Sequence, residues 1–141
     1  MRISKKGLYA LEALTVLARN YPHHPTKIHQ IAVAEGIPEK FLEAILLDLK
    51  TARLVESLRG AQGGYLLRRE PSEVFLGEVI RTIDGPLAPM GDAEALRRLV
   101  KADKKHSALY RVLLDVRNAA AGILDHTSLA DLAGRSYRGR R

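Results

Sequence analysis

A mainly α-helical fold with one small β-hairpin is what this sequence predicts, on three observations. Two short amphipathic segments, residues 27–35 and 38–52, are separated by only a few residues. Residues 54–67 then read as two short strands around a glycine-rich turn that carries Arg59. A longer helix with a wide apolar stripe, residues 107–125, follows towards the end. Helix, turn, helix and basic hairpin is the order of a winged helix-turn-helix, here with a long C-terminal helix suited to dimerisation.

The elements follow from local chemistry. Ser4 can cap a first helix that runs to about Asn20. Leu11, Leu14, Leu17 and Ala18 share one face of it, and Lys5, Glu12 and Arg19 lie opposite. Tyr21-Pro22-His23-His24-Pro25 breaks the helix. Thr26 is the expected cap of the second helix, in which Ile28, Ile31 and Ala32 recur at helical spacing and Gly36 supplies the C-terminal turn. Pro38 opens the third, with Phe41 or Leu42, then Ile45, Leu46 and Leu49, facing inward. Its outward face carries Glu39, Lys40, Glu43, Leu47 and Lys50.

In the hairpin, Gly60, Gly63 and Gly64 permit the positive φ of a tight loop. They also leave Arg59 unhindered, and arginine is the side chain that enters the negative potential of a narrow minor groove. A phosphate-loop reading fails because no Gly-Lys-Ser/Thr follows. Ser72 is expected to cap a helix from Glu73 to about Asp84, and Asp92 a short one at residues 93–100. In residues 107–125, Leu109, Val112, Val116, Ala119 and Ile123 form a stripe that Leu113, Ala120 and Leu124 widen. A stripe this wide suggests contact with both its own domain and a second subunit, packing within one chain being the alternative. His126-Thr127-Ser128 caps a last turn that Gly134 ends.

Composition narrows the function. The 141 residues contain no cysteine, which excludes disulfides, thiolate zinc sites and cysteine-held clusters. No apolar run approaches the ~20 residues that span a bilayer, and no secretion signal is read, so the expected location is cytoplasmic. Net charge is +7, but residues 1–84 hold 12 basic and 10 acidic side chains, while Arg135, Arg138, Arg140 and Arg141 crowd the tail. A DNA-binding face must therefore be a local patch. His23, His24, His29, His106 and His126 show no ligand or triad spacing with the acids, so neither an enzyme nor a metal site is expected. Glu43 only accepts hydrogen bonds. On a DNA face it is either a reader of the cytosine amino group or a solvated surface residue.

These pieces together resemble the Rrf-two (BadM-type) family of bacterial transcriptional regulators. The resemblance rests on Ile3-Ser4-Lys5-Lys6-Gly7-Leu8-Tyr9-Ala10, on Phe41-Leu42-Glu43 and on the hairpin from Val55 to Leu67. Gly77-Glu78-Val79-Ile80 with Asp84-Gly85, and Thr127-Ser128-Leu129-Ala130-Asp131-Leu132, extend it over about residues 1–133. It implies a homodimer on a palindromic operator, with the third helix in the major groove and the hairpin arginine in the minor groove. It aligns Glu43 with the family's base-reading acid and Arg59 with its wing arginine. Cluster-binding members carry three cysteines where this chain has the region Gly85–Lys105 without any, so the resemblance is to a cluster-free branch. His106 matches a histidine that completes the cluster's ligands in some members, but one imidazole holds no cluster.

The expectations are these. Residues 1–84 form the winged helix-turn-helix, 85–134 a linker loop and dimerisation helix, and 135–141 a basic disordered tail. Ser4, Lys5, Lys27, Pro38, Glu39, Lys40, Glu43, Lys50, Arg59, Gly60 and Gln62 meet double-stranded DNA. Leu109, Val112, Leu113, Val116, Ala120 and Ile123 meet a second copy. The protein is expected to be a repressor with no cofactor and no membrane association, its effector, a small molecule or a protein, left unassigned. A winged-helix protein-interaction or architectural module is the alternative, kept open by the mild charge of the body and by Asp48.

Overall fold

Ser4 opens helix α1 (Lys5–Asn20) by accepting the Gly7 N–H at 2.9 Å. In the computed structural model, which describes residues 2–88 and 91–134, α1 is the central element. Its face Ala10, Ala13, Leu14 and Leu17 is buried against its neighbours. Helix α2 (Ile28–Glu35) contributes Ile31 and Ala32 and ends at Gly36 with φ 63°, the left-handed conformation a glycine takes without strain. Helix α3 (Glu39–Thr51) starts directly after Pro38 and buries Leu42, Ile45, Leu46 and Leu49. Of the two aromatic and aliphatic candidates, Leu42 faces inward. Phe41 lies at the rim, edge-on to Tyr9 with ring centroids 5.7 Å apart.

Strands β1 (Val55–Leu58) and β2 (Gly64–Leu67) form one antiparallel hairpin, in register Val55 opposite Leu67 and Leu58 opposite Gly64. Thr26 does not cap α2, as local reading expects. It is buried and bridges Tyr65, with N–H···O bonds of 3.0 and 2.8 Å in both directions, while its Oγ1 accepts from the Asn20 amide. A third strand residue on the hairpin's edge satisfies more backbone than a cap would, and Lys27 takes the cap position. Gly64 is required there, because a Cβ would stand 2.7 Å from the Thr26 carbonyl. Gly63 serves closeness and not a positive φ, since a Cβ on it would collide with the Leu58 carbonyl oxygen.

The next helix also begins later than expected. Pro71–Glu73 is a single 3-10 turn, Val74 and Phe75 are extended, and α4 (Leu76–Asp84) follows. The reason is again a distant partner. Phe75 bridges Ser128, with Leu76 N–H to the Thr127 carbonyl and Leu129 N–H to the Val74 carbonyl, both 2.9 Å. Helix α5 (Ala93–Ala102) is capped by Asp92 and lies along α6 (Ser107–Leu124). Helix α7 (Leu129–Ala133), capped by Ser128, then returns to pack on α1.

This return ties α7 to the first half of the chain. Leu129 is fully buried in the same core as Leu14, Ile45 and Val79, so residues 129–133 belong to the body formed by the first half. A second, smaller cluster joins Ile80, Leu87 and Ala121 and seats α6 on α4. The basic tail at 135–141 lies outside the described residues. Among the described residues no helix is long and apolar enough to cross a membrane.

Candidate nucleic-acid interface

Because Leu42, Ile45, Leu46 and Leu49 turn inward, Glu39, Lys40, Glu43, Leu47 and Lys50 are forced outward, and all five are exposed. The two margins of this face are fixed by neighbours. At the start of α3, Glu39 Oε2 lies 3.3 Å from His29 Nδ1 of α2. At its end, Lys50 Nζ donates to Ser57 Oγ of β1 at 2.9 Å, which ties α3 to the hairpin. Beyond β1, Arg59 and Gly60 stand exposed at the hairpin's turn, with Gly60 at φ 100°.

Asp48, which reads as a poor phosphate partner, is not part of the free face. Lys6 of α1 reaches it at 2.5 Å, so its charge is compensated inside the protein. Sequence reasoning missed this pair because 42 residues separate the partners. Ser4 is also committed internally. Its hydroxyl accepts the Gly7 N–H and donates to Asp84, and its own N–H reaches Asp84 Oδ2 at 2.9 Å. Ser4 therefore orients the start of α1 with a spent side chain. Lys5 is exposed beside it, 5.7 Å from the Tyr9 ring centroid. Lys27 and Gln62 meet in a separate polar cleft of about 250 Å3 between α2 and the hairpin, with His24 and Gln30 in its wall. Pro38 is exposed ahead of α3.

The residues assigned to a second copy are split by the fold. Leu109, Val112 and Val116 are each more than half exposed and Ile123 is exposed, along one face of α6. Leu113 and Ala120, beside them on the same stripe, are half-buried. The far end of α6 is locked to α4 by Arg81, whose two terminal nitrogens donate to the Asp125 carboxylate at 2.6 and 2.9 Å. This hydrogen-bonded pairing, against some burial, holds the Asp125 carboxyl below its ordinary range. His106 sits at the N-cap of α6, its Nδ1 2.9 Å from Asp103 Oδ2, and this contact lowers the Asp103 pKa.

Comparison with known proteins gives this geometry its context. The Rrf2 model, described as an iron-dependent transcriptional regulator, matches residues 3–135. The HTH-type transcriptional regulator CymR of Bacillus subtilis (strain 168) is 36% identical over 133 residues, covering 94% of this chain and 90% of its own. A solved structure of B. subtilis CymR, titled the global cysteine regulator, superposes with a TM-score of 0.82 at 33% identity, covering 96% of this chain and 98% of that one. T. potens IscR superposes with a TM-score of 0.78 at 29% identity, covering 100% and 93%.

A protein-held iron–sulfur cluster needs thiolate donors. The chain has no cysteine, and among the described residues no three of His, Asp and Glu gather into a metal-holding group. The donor set does not fit a thiolate-held cluster. The fold, the exposed face of α3 beside a hairpin tipped by Arg59 and a match across nearly the whole chain lead to one assignment: this chain belongs to the Rrf2 family, and it is a DNA-binding transcriptional regulator and not an enzyme.

Proposed function

We propose that the protein acts as a homodimer on a palindromic operator and represses the adjacent promoter, in the cytoplasm and without a metal cluster. The observation that carries the dimer is the row Leu109, Val112 and Val116, three large apolar side chains left in water along one helix face. A two-fold contact through that row removes them from solvent. Two reading helices related by the same axis face two half-sites in opposite orientation, so the operator is a palindrome. Dimer-bound DNA then excludes polymerase from an overlapping promoter.

On each half-site α3 enters the major groove. Lys40 and Lys50 neutralise phosphates, and Glu43 accepts from a cytosine amino group, the one partner in that groove suited to a carboxylate. Arg59 at the hairpin tip enters the neighbouring minor groove or meets its phosphates. Lys27, Gln62 and Lys5 flank these contacts and Pro38, Glu39 and Gly60 frame them. The exposure of every one of these residues supports the arrangement.

The test is selection of bound fragments from random duplex DNA, followed by sedimentation of the protein alone. A palindromic consensus and a dimer at micromolar concentration are expected. A consensus without two-fold symmetry, or a monomer, overturns the dimeric reading. Derepression of a reporter on deleting the gene tests the direction of regulation.

A further inference from the structure

Leu47 has no structural reason to be a leucine. It is 63% exposed, and the core-facing positions of α3 are filled by Leu42, Ile45, Leu46 and Leu49. At 3.6 residues per turn, Lys40, Glu43 and Leu47 fall within an arc of about 60°, on the side away from that core. Leu47 thus lies in the stripe proposed above to face DNA, one turn beyond the acid. Glu43 carries no salt bridge or side-chain hydrogen bond among those described, and Lys40 none either.

We propose that Leu47 is a specificity-determining residue whose methyl groups pack on the 5-methyl group of a thymine in the operator half-site. The proposal rests on α3 lying in the major groove. Thymine is the base that presents a methyl group there, and apolar side chains are its partners. The rise from Glu43 to Leu47 is about 6 Å along the helix, a span of roughly two base-pair steps. The thymine therefore sits within about two base pairs of the cytosine that Glu43 reads. A protein surface is a poorer occupant, because Lys40, Glu43 and Lys50 around Leu47 would all have to give up water. A duplex offers the lysines phosphates and the acid an amino group.

The experiment replaces each thymine of the selected operator half-site, one at a time, with deoxyuridine, which removes only the methyl group. Affinities are measured for the unaltered protein, Leu47→Ala, Leu47→Met and Glu43→Gln, each checked for an unchanged thermal melt. At one thymine near the Glu43-dependent cytosine, uracil weakens the unaltered protein about fourfold per half-site, the effect of one buried methyl group. Leu47→Ala binds the thymine and uracil duplexes equally, and Leu47→Met keeps most of the preference. Indifference of the unaltered protein to uracil at every position overturns the proposal. So does a full uracil penalty retained by Leu47→Ala, or a consensus with no thymine at that spacing. If Glu43→Gln still relaxes the cytosine in those cases, the groove reading stands and Leu47 alone falls. If no base change matters and only salt does, the groove reading falls and takes Leu47 with it.

Discussion

Glu43 and Arg59 are both exposed, yet they ask opposite things of DNA. A guanidinium on a glycine-rich turn is attracted wherever phosphates crowd, so Arg59→Ala should weaken binding to operator and scrambled duplex alike. The slope of log affinity on log salt should fall by about 1 for the lost phosphate contact. A carboxylate is repelled by the same phosphates and gains only from a base amino group. Glu43→Ala should cost ~1–3 kcal/mol on the operator and leave non-specific binding unchanged or tighter. Titrations of both variants on both duplexes at two salt concentrations check this, and equal losses for Glu43→Ala on the two duplexes would make the acid structural. Residue identities of this kind were legible in the sequence because the inward set of α3 is so regular that the outward set follows by subtraction. The pairing of Asp48 is illegible for the opposite reason: its partner Lys6 is on another helix, and no local pattern announces it.

Where elements meet, sequence reading and structure part in a consistent way. Helices whose start depends on their own residues, α1 at Ser4, α5 at Asp92 and α7 at Ser128, began where a local cap predicted. Thr26 and Val74-Phe75 did not follow, because each is pulled into extended pairing by a strand or loop far along the chain. Tertiary hydrogen bonding outweighed a cap worth about 1 kcal/mol. Two predictions belong at this level. Val116→Glu places a charge in the middle of the α6 face and should weaken dimerisation by about 3 kcal/mol or more, roughly two orders of magnitude. Sedimentation and operator binding should fail together. The second concerns the Arg81–Asp125 lock between α4 and α6. Its carboxylate is depressed below the ordinary 3.8, so its stabilisation is fully present above that value and is lost as the pH falls through the lower one. Thermal melts should show Asp125→Asn less stable at neutral pH, with a shallower decline below about pH 4.

The whole molecule carries a regulator's fold without the thiolates that could hold an iron–sulfur cluster. Protein purified without chelators should be colourless and contain far less than one iron per chain. Elemental analysis with a visible spectrum decides it. Stoichiometric iron would direct attention to His106, Asp92 and Asp103.

Among the described residues the return of α7 makes the polypeptide a closed circuit, with α7 stitched into the core around α1. A circuit of this kind can be cut without being opened. Residues 1–88 produced alone lack Leu129 and the Thr127–Ser128 pairing, a loss of about 2–5 kcal/mol from the leucine alone, and should aggregate. Produced together with residues 89–141, they should recover solubility and co-purify as two pieces of one fold.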